Sequence, residues 1–65
     1  MKFKDILIGM TFKIKNEDDD NFEIGEVVDI QYVNGNITLK FDNYSETFTF
    51  GKPNGNIPNF LTHIK

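Results

Sequence analysis

The sequence predicts an all-β fold: a small five-stranded barrel with an acidic loop after its first strand and a 3₁₀ turn before its last. Three observations carry this. Apolar residues recur with period two in several short runs, as half-buried strands require. Turn-forming dipeptides, above all Asn34-Gly35, separate those runs. The 65 residues contain no repeat and no linker, so residues 1–65 form a single domain.

The segment from Lys4 to Gly9 is too short for a helix of its own; Asp5 can cap a single turn, and Gly9 permits the bend that starts a strand. From Met10 to Lys15 alternation is strict: Met10, Phe12 and Ile14 point one way, Thr11, Lys13 and Lys15 the other. Residues 16–21 carry four adjacent carboxylates, Glu17, Asp18, Asp19 and Asp20, which repel one another and predict a solvated loop. Phe22 to Val33 is the longest strand candidate. Its expected inner face holds Ile24, Val28, Ile30 and Tyr32, and Gly25 marks a bulge or tight bend. Val27 and Val33 fall on the other face.

Asn34-Gly35 predicts a two-residue type I′ turn, which needs positive φ at both positions. The next strand, Asn36 to Asp42, turns Ile37, Leu39 and Phe41 inward; a reversal near Asp42-Asn43 leads to a fourth, in which Phe48 and Phe50 face in. Gly51 to Asn56 is a loop, Ile57 to Leu61 a short 3₁₀ turn, and Thr62 to Lys65 a closing strand. The expected core is Phe12, Ile14, Ile24, Val28, Ile30, Ile37, Leu39, Phe41, Phe48, Phe50, Phe60 and Leu61. Phe3 and Phe22 are expected to extend it.

Composition narrows the function classes. A chain of this size buries roughly 60% of the surface its unfolded form exposes, so its core is marginal. There is no cysteine and one histidine, which removes disulfides, thiolate zinc and multi-histidine sites. No apolar run reaches signal-peptide or membrane-spanning length, so no membrane contact and a cytoplasmic location are expected. Net charge is −3, and every cation is lysine. Without arginine the chain lacks the planar fork that reads phosphate and guanine. The lysines form no run, so tight nucleic-acid binding is not expected.

No enzyme chemistry is legible. His63 lies near the C-terminus, and Ser45 is the only serine, flanked by Tyr44 and Glu46. The carboxylates at 17–20 lack the alternating ligands and central glycine of a calcium loop, so neither metal nor cofactor is expected. Charge asymmetry is the informative feature. Of the ten acids, Glu17, Asp18, Asp19, Asp20, Glu23, Glu26 and Asp29 fall within residues 17–29 with no lysine among them. Such a surface steers basic partners and repels nucleic acid. Tyr32 and Tyr44 are the aromatics left to anchor a partner beside those acids. These nine residues are the candidate partner-binding set.

Four stretches resemble a known pattern: Ile8-Gly9-Met10-Thr11-Phe12, the run from Phe22 to Ile30 around Gly25, Ile37-Thr38-Leu39-Lys40-Phe41-Asp42, and Glu46-Thr47-Phe48. Together they are similar to the SH3-like barrels attached to bacterial DNA helicases and nucleases or encoded alone in phage and bacterial genomes. Glu23 and Ile24 depart from a glycine of that pattern. The resemblance spans residues 8–50. It implies an SH3-like fold and binding to protein or nucleic acid, and it carries no functional residue over. The reading is therefore a non-enzymatic module that binds a protein with a basic surface through an acidic and aromatic face. Two alternatives stand beside it: a nucleic-acid-associated barrel of a DNA-processing system, and an acidic phage-type inhibitor of a DNA-handling or defence enzyme.

Overall fold

The computed structural model describes residues 1–16, 18 and 20–64. Five antiparallel strands form one sheet in the order β4-β3-β2-β1-β5. They are β1 (Thr11–Lys15), β2 (Phe22–Val33), β3 (Asn36–Phe41), β4 (Thr47–Thr49) and β5 (Leu61–Ile64). Four strands follow one another as a meander, and the fifth returns beside the first. The sheet is open, with β4 and β5 as its edges, so strand pairing does not close the expected barrel. β2 is shared between two halves: residues 22–26 pair with β1, and Val27 and residues 29–33 pair with β3.

The β2–β3 hairpin follows from its turn chemistry. Asn34 has φ 53° and Gly35 φ 80°, the two positive angles a type I′ turn demands. Val33 faces Asn36 across the turn, and this sets the register of β3, which buries Ile37, Leu39 and Phe41. β1 alternates as its sequence predicts, with Phe12 and Ile14 buried and Lys13 and Lys15 exposed.

β2 departs from the expected register. Val27 is fully buried, while Ile24 is 56% and Val28 41% exposed. The pairing shifts between Val27 and Asp29, so the bulge lies three residues past Gly25. One extra residue exchanges the faces of a period-two strand. Before the bulge Gly25 and Val27 face the core; after it Ile30 does, opposite Leu39. Gly25 does something other than bend the strand: a Cβ there would lie 2.5 Å from Asn43 Oδ1 and 3.2 Å from the Phe41 Cβ. Its missing side chain lets the loop after β3 lie against β2.

The core is Phe3, Ile6, Phe12, Ile14, Val27, Ile37, Leu39, Phe41 and Leu61. Ile30, Phe48, Phe50 and Phe60, expected inside, are half-buried against it. Phe3 joins the core, stacked on Phe50 at 4.8 Å between ring centroids, but Phe22 is 49% exposed. Phe3 sits on a 3₁₀ turn (Phe3–Asp5) in which Asp5 accepts a hydrogen bond from the Lys2 N–H. That turn is pinned to the 53–57 loop by Phe3 N–H to Gly55 O, Lys4 N–H to Pro53 O and Ile57 N–H to Met1 O. The turn expected at 57–61 is reduced to one i→i+3 hydrogen bond, Leu61 N–H to Pro58 O, and forms no 3₁₀ helix. Among the described residues no helix is long and apolar enough to cross a membrane.

Candidate functional site

Where β1 ends, the two halves of the sheet leave an open groove of about 260 Å³. Its lining is Ile14, Lys15, Asn16, Tyr44, Phe48 and Phe60. Alternation places Ile14 and Phe48 on the inner face of β1 and β4, and Phe60 enters from the turn before β5. Tyr44 meets Phe48 edge to face, with centroids 5.1 Å apart and planes at 84°. The two rings therefore make a near right-angled corner, a favoured geometry for aromatic pairs. A second hollow, lined by Lys15, Asn16, Asn59 and Phe60, continues the groove toward β5.

Tyr44 is held on a clipped loop. Asp42 N–H donates to Glu26 O at 2.9 Å, and Glu26 N–H donates back to Asp42 Oδ1 at 3.0 Å. Lys40 Nζ donates to the Tyr44 carbonyl at 2.8 Å. Gly25 leaves the space for Asn43 between these clips. Side chains held this way lose less freedom on binding than loose ones.

Glu23 lies directly across from Ile14 in the β1–β2 ladder and shares its face. Hydrogen bonding of the Tyr44 phenol to the Glu23 carboxylate, then burial, then the negative charge of Glu23 raise the Tyr44 pKa above its ordinary value.

The structure separates the nine candidate residues. Glu23 and Tyr44 come together at the groove. Asp18 and Asp20 are exposed on the loop that leaves the groove at Asn16, whose N–H donates to Asn21 O across the loop base. Glu17 and Asp19 lie outside the described residues. Glu26 and Asp29 occupy the opposite, outer face of β2, where Asp29 accepts a hydrogen bond from Gln31 Nε2. Tyr32 is 61% exposed near the hairpin turn, nine residues from Glu23 along β2. That is roughly 30 Å of strand, so Tyr32 does not join Tyr44.

Phe48, Phe60 and Asn16 line the groove although the sequence did not single them out. The available signal was the aromatic count: of seven Phe and two Tyr, only Phe3, Phe12 and Phe41 are fully taken up by the core. His63, on β5, packs its ring 5.3 Å from that of Phe12. Among the described residues no group of three or more His, Cys, Asp or Glu side chains could hold a metal ion.

On the outer face, Lys13 Nζ sits 4.0 Å over the Phe22 ring. Compared with known proteins, the chain matches no family model, no curated protein and no solved structure.

Proposed function

We propose that this protein is a small non-enzymatic module that binds a protein partner with a basic surface, through the groove and the acidic loop at its rim. The observation that carries the reading is the Tyr44–Phe48–Phe60 groove opening beside Glu23 and the loop of Asp18 and Asp20. Half-buried aromatics, with Tyr44 on a clipped loop, supply anchoring area, and the acids supply direction of approach. We read the fold as SH3-like. In support, the last strand returns beside the first, and the long β2 is shared between the two halves of the sheet.

The experiment is affinity capture with the parent and with Tyr44→Ala and Phe60→Ala variants whose melting temperatures match it. Both residues are half-buried, so truncation is compatible with folding. Loss of the captured protein from both variants supports the reading. Equal capture by all three chains overturns it.

One observation favours a second reading, a nucleic-acid-associated module. Lys13 and Lys15 share the outer face of β1, and Lys13 lies on the exposed Phe22 ring. Lysines beside an aromatic platform suit single strands. Three or fewer lysines give only weak, salt-sensitive contact. Sub-micromolar binding of any nucleic acid at about 150 mM salt, near physiological ionic strength, would put this reading first.

A further inference from the structure

Resting on the reading of the groove as a protein-binding site, we propose that it takes one cationic side chain, lysine or arginine, from an extended peptide. Shape is the first argument. The groove is small, about 260 Å³, and its walls are Ile14, Phe48 and Phe60. It fits one side chain rather than a folded surface. Lysine and arginine carry long apolar stems that lie along such walls while the charged head stays at a polar rim.

The aromatic corner is the second argument. Tyr44 and Phe48 stand at 84° to one another, so a head group seated in the corner between them lies against a ring face. Ring faces attract cations within about 6 Å.

Charge is the third. Glu23 shares the Ile14 face and lies beside the Tyr44 phenol, so a carboxylate stands at the aromatic corner. A neutral side chain fills the walls and leaves that carboxylate without a counter-ion. An anionic one is repelled by it and by Asp18 and Asp20 beyond the rim. Two lysines lie close by. Lys40 is committed to the Tyr44 carbonyl; Lys15 lines one end of the groove, at an exposed, outward-facing strand position where β1 ends. Neither stands between Glu23 and the aromatic corner in the sheet register, where Glu23 pairs with Ile14.

The test is an ¹⁵N–¹H NMR titration with four capped tripeptides, acetyl-Ala-X-Ala-amide, in which X is Lys, Arg, norleucine or Glu. The Lys and Arg peptides should shift the amides of Ile14, Asn16, Tyr44, Phe48 and Phe60. They should bind about threefold to thirtyfold more tightly than norleucine, the range a cation–aromatic contact spans. A larger gain for Arg marks a bidentate pair with Glu23; equal gains mark a point charge. Glu23→Gln, an isosteric change at an exposed residue, should close most of the gap.

Each contrary outcome is distinct. Norleucine binding in the groove as tightly as Lys overturns the cationic occupant and leaves the groove as a protein-binding site. A Lys preference undiminished in Glu23→Gln overturns the assigned counter-ion, and the proposal with it. No shift at groove residues with any peptide at about 10 mM, where millimolar affinities register, overturns both the occupant and the groove.

Discussion

Tyr44 shows how one residue can report on the site without a ligand. Its neutral phenol is favoured in the folded chain because Glu23 accepts its hydrogen bond and opposes a second negative charge. The sign follows from linkage. With a folded pKa raised above the unfolded value, the stabilisation is complete below the ordinary tyrosine pKa of 10.0 and is lost as pH rises through the folded value. Glu23→Gln should therefore move the Tyr44 titration down toward 10.0 and soften the alkaline loss of stability. A Tyr32→Phe background leaves Tyr44 as the only tyrosine, so phenolate absorbance reads it directly. An unchanged titration would mean that the carboxylate does not reach the phenol in solution. Gly25 is the second informative residue. Gly25→Ala sets a methyl against Asn43, Phe41 and Ile14. Overpacking of this kind costs about 1–3 kcal/mol, and the strain falls on the loop that holds Tyr44. Chemical denaturation should show the loss, and the Tyr44 and Phe48 amides should shift. A variant as stable as the parent would show that the loop does not lie against β2.

Among the elements, β2 separates what the sequence makes legible from what it does not. Its limits, Phe22 to Val33, and the hairpin that follows can be read because both depend on local chemistry: alternation, β-branched residues, and an Asn-Gly pair suited to positive φ. Its inward face cannot be read past the bulge, because a bulge is set by the fit to the partner strand. Gly25 looked like the interruption; the extra residue lies at Val27–Val28, where the core must receive Phe41 from β3. Phe3 is buried as expected, although its partner, the 53–57 loop, lies far along the chain. The same limit hides half of the groove. Alternation says which way Phe48 points, not how deeply it sits. Paired substitutions test the register. Val27→Thr buries a hydroxyl at a fully buried position and should cost about 1–3 kcal/mol. Val28→Thr, on the exposed face, should stay within about 0.5 kcal/mol of the parent. Denaturation midpoints in the reverse order would restore the register read from the sequence.

At the scale of the whole molecule, the acidic loop adjoins the groove. The acidic loop leaves the sheet at Asn16, which is itself part of the groove lining, and returns at Phe22 one residue before Glu23. Asp18 and Asp20 are exposed there, and at physiological salt their field extends about 8 Å before it is screened. Exposed charges on a loop contribute little to the final contact, but they orient a basic partner during approach. Aromatics in the groove act after contact, where buried area controls escape. The two parts of the site should therefore separate kinetically. With a basic partner in hand, changing Asp18 and Asp20 to Asn should slow association several-fold at low salt and flatten its dependence on ionic strength. The melting temperature should move little, because both side chains are solvated. Tyr44→Ala should leave association nearly unchanged and speed dissociation, because it removes one wall of the aromatic corner. Surface plasmon resonance across a salt series reads both rates in one experiment. If the double Asn variant associates at the parent's rate in low salt, the loop has no part in docking and the groove alone carries the interaction.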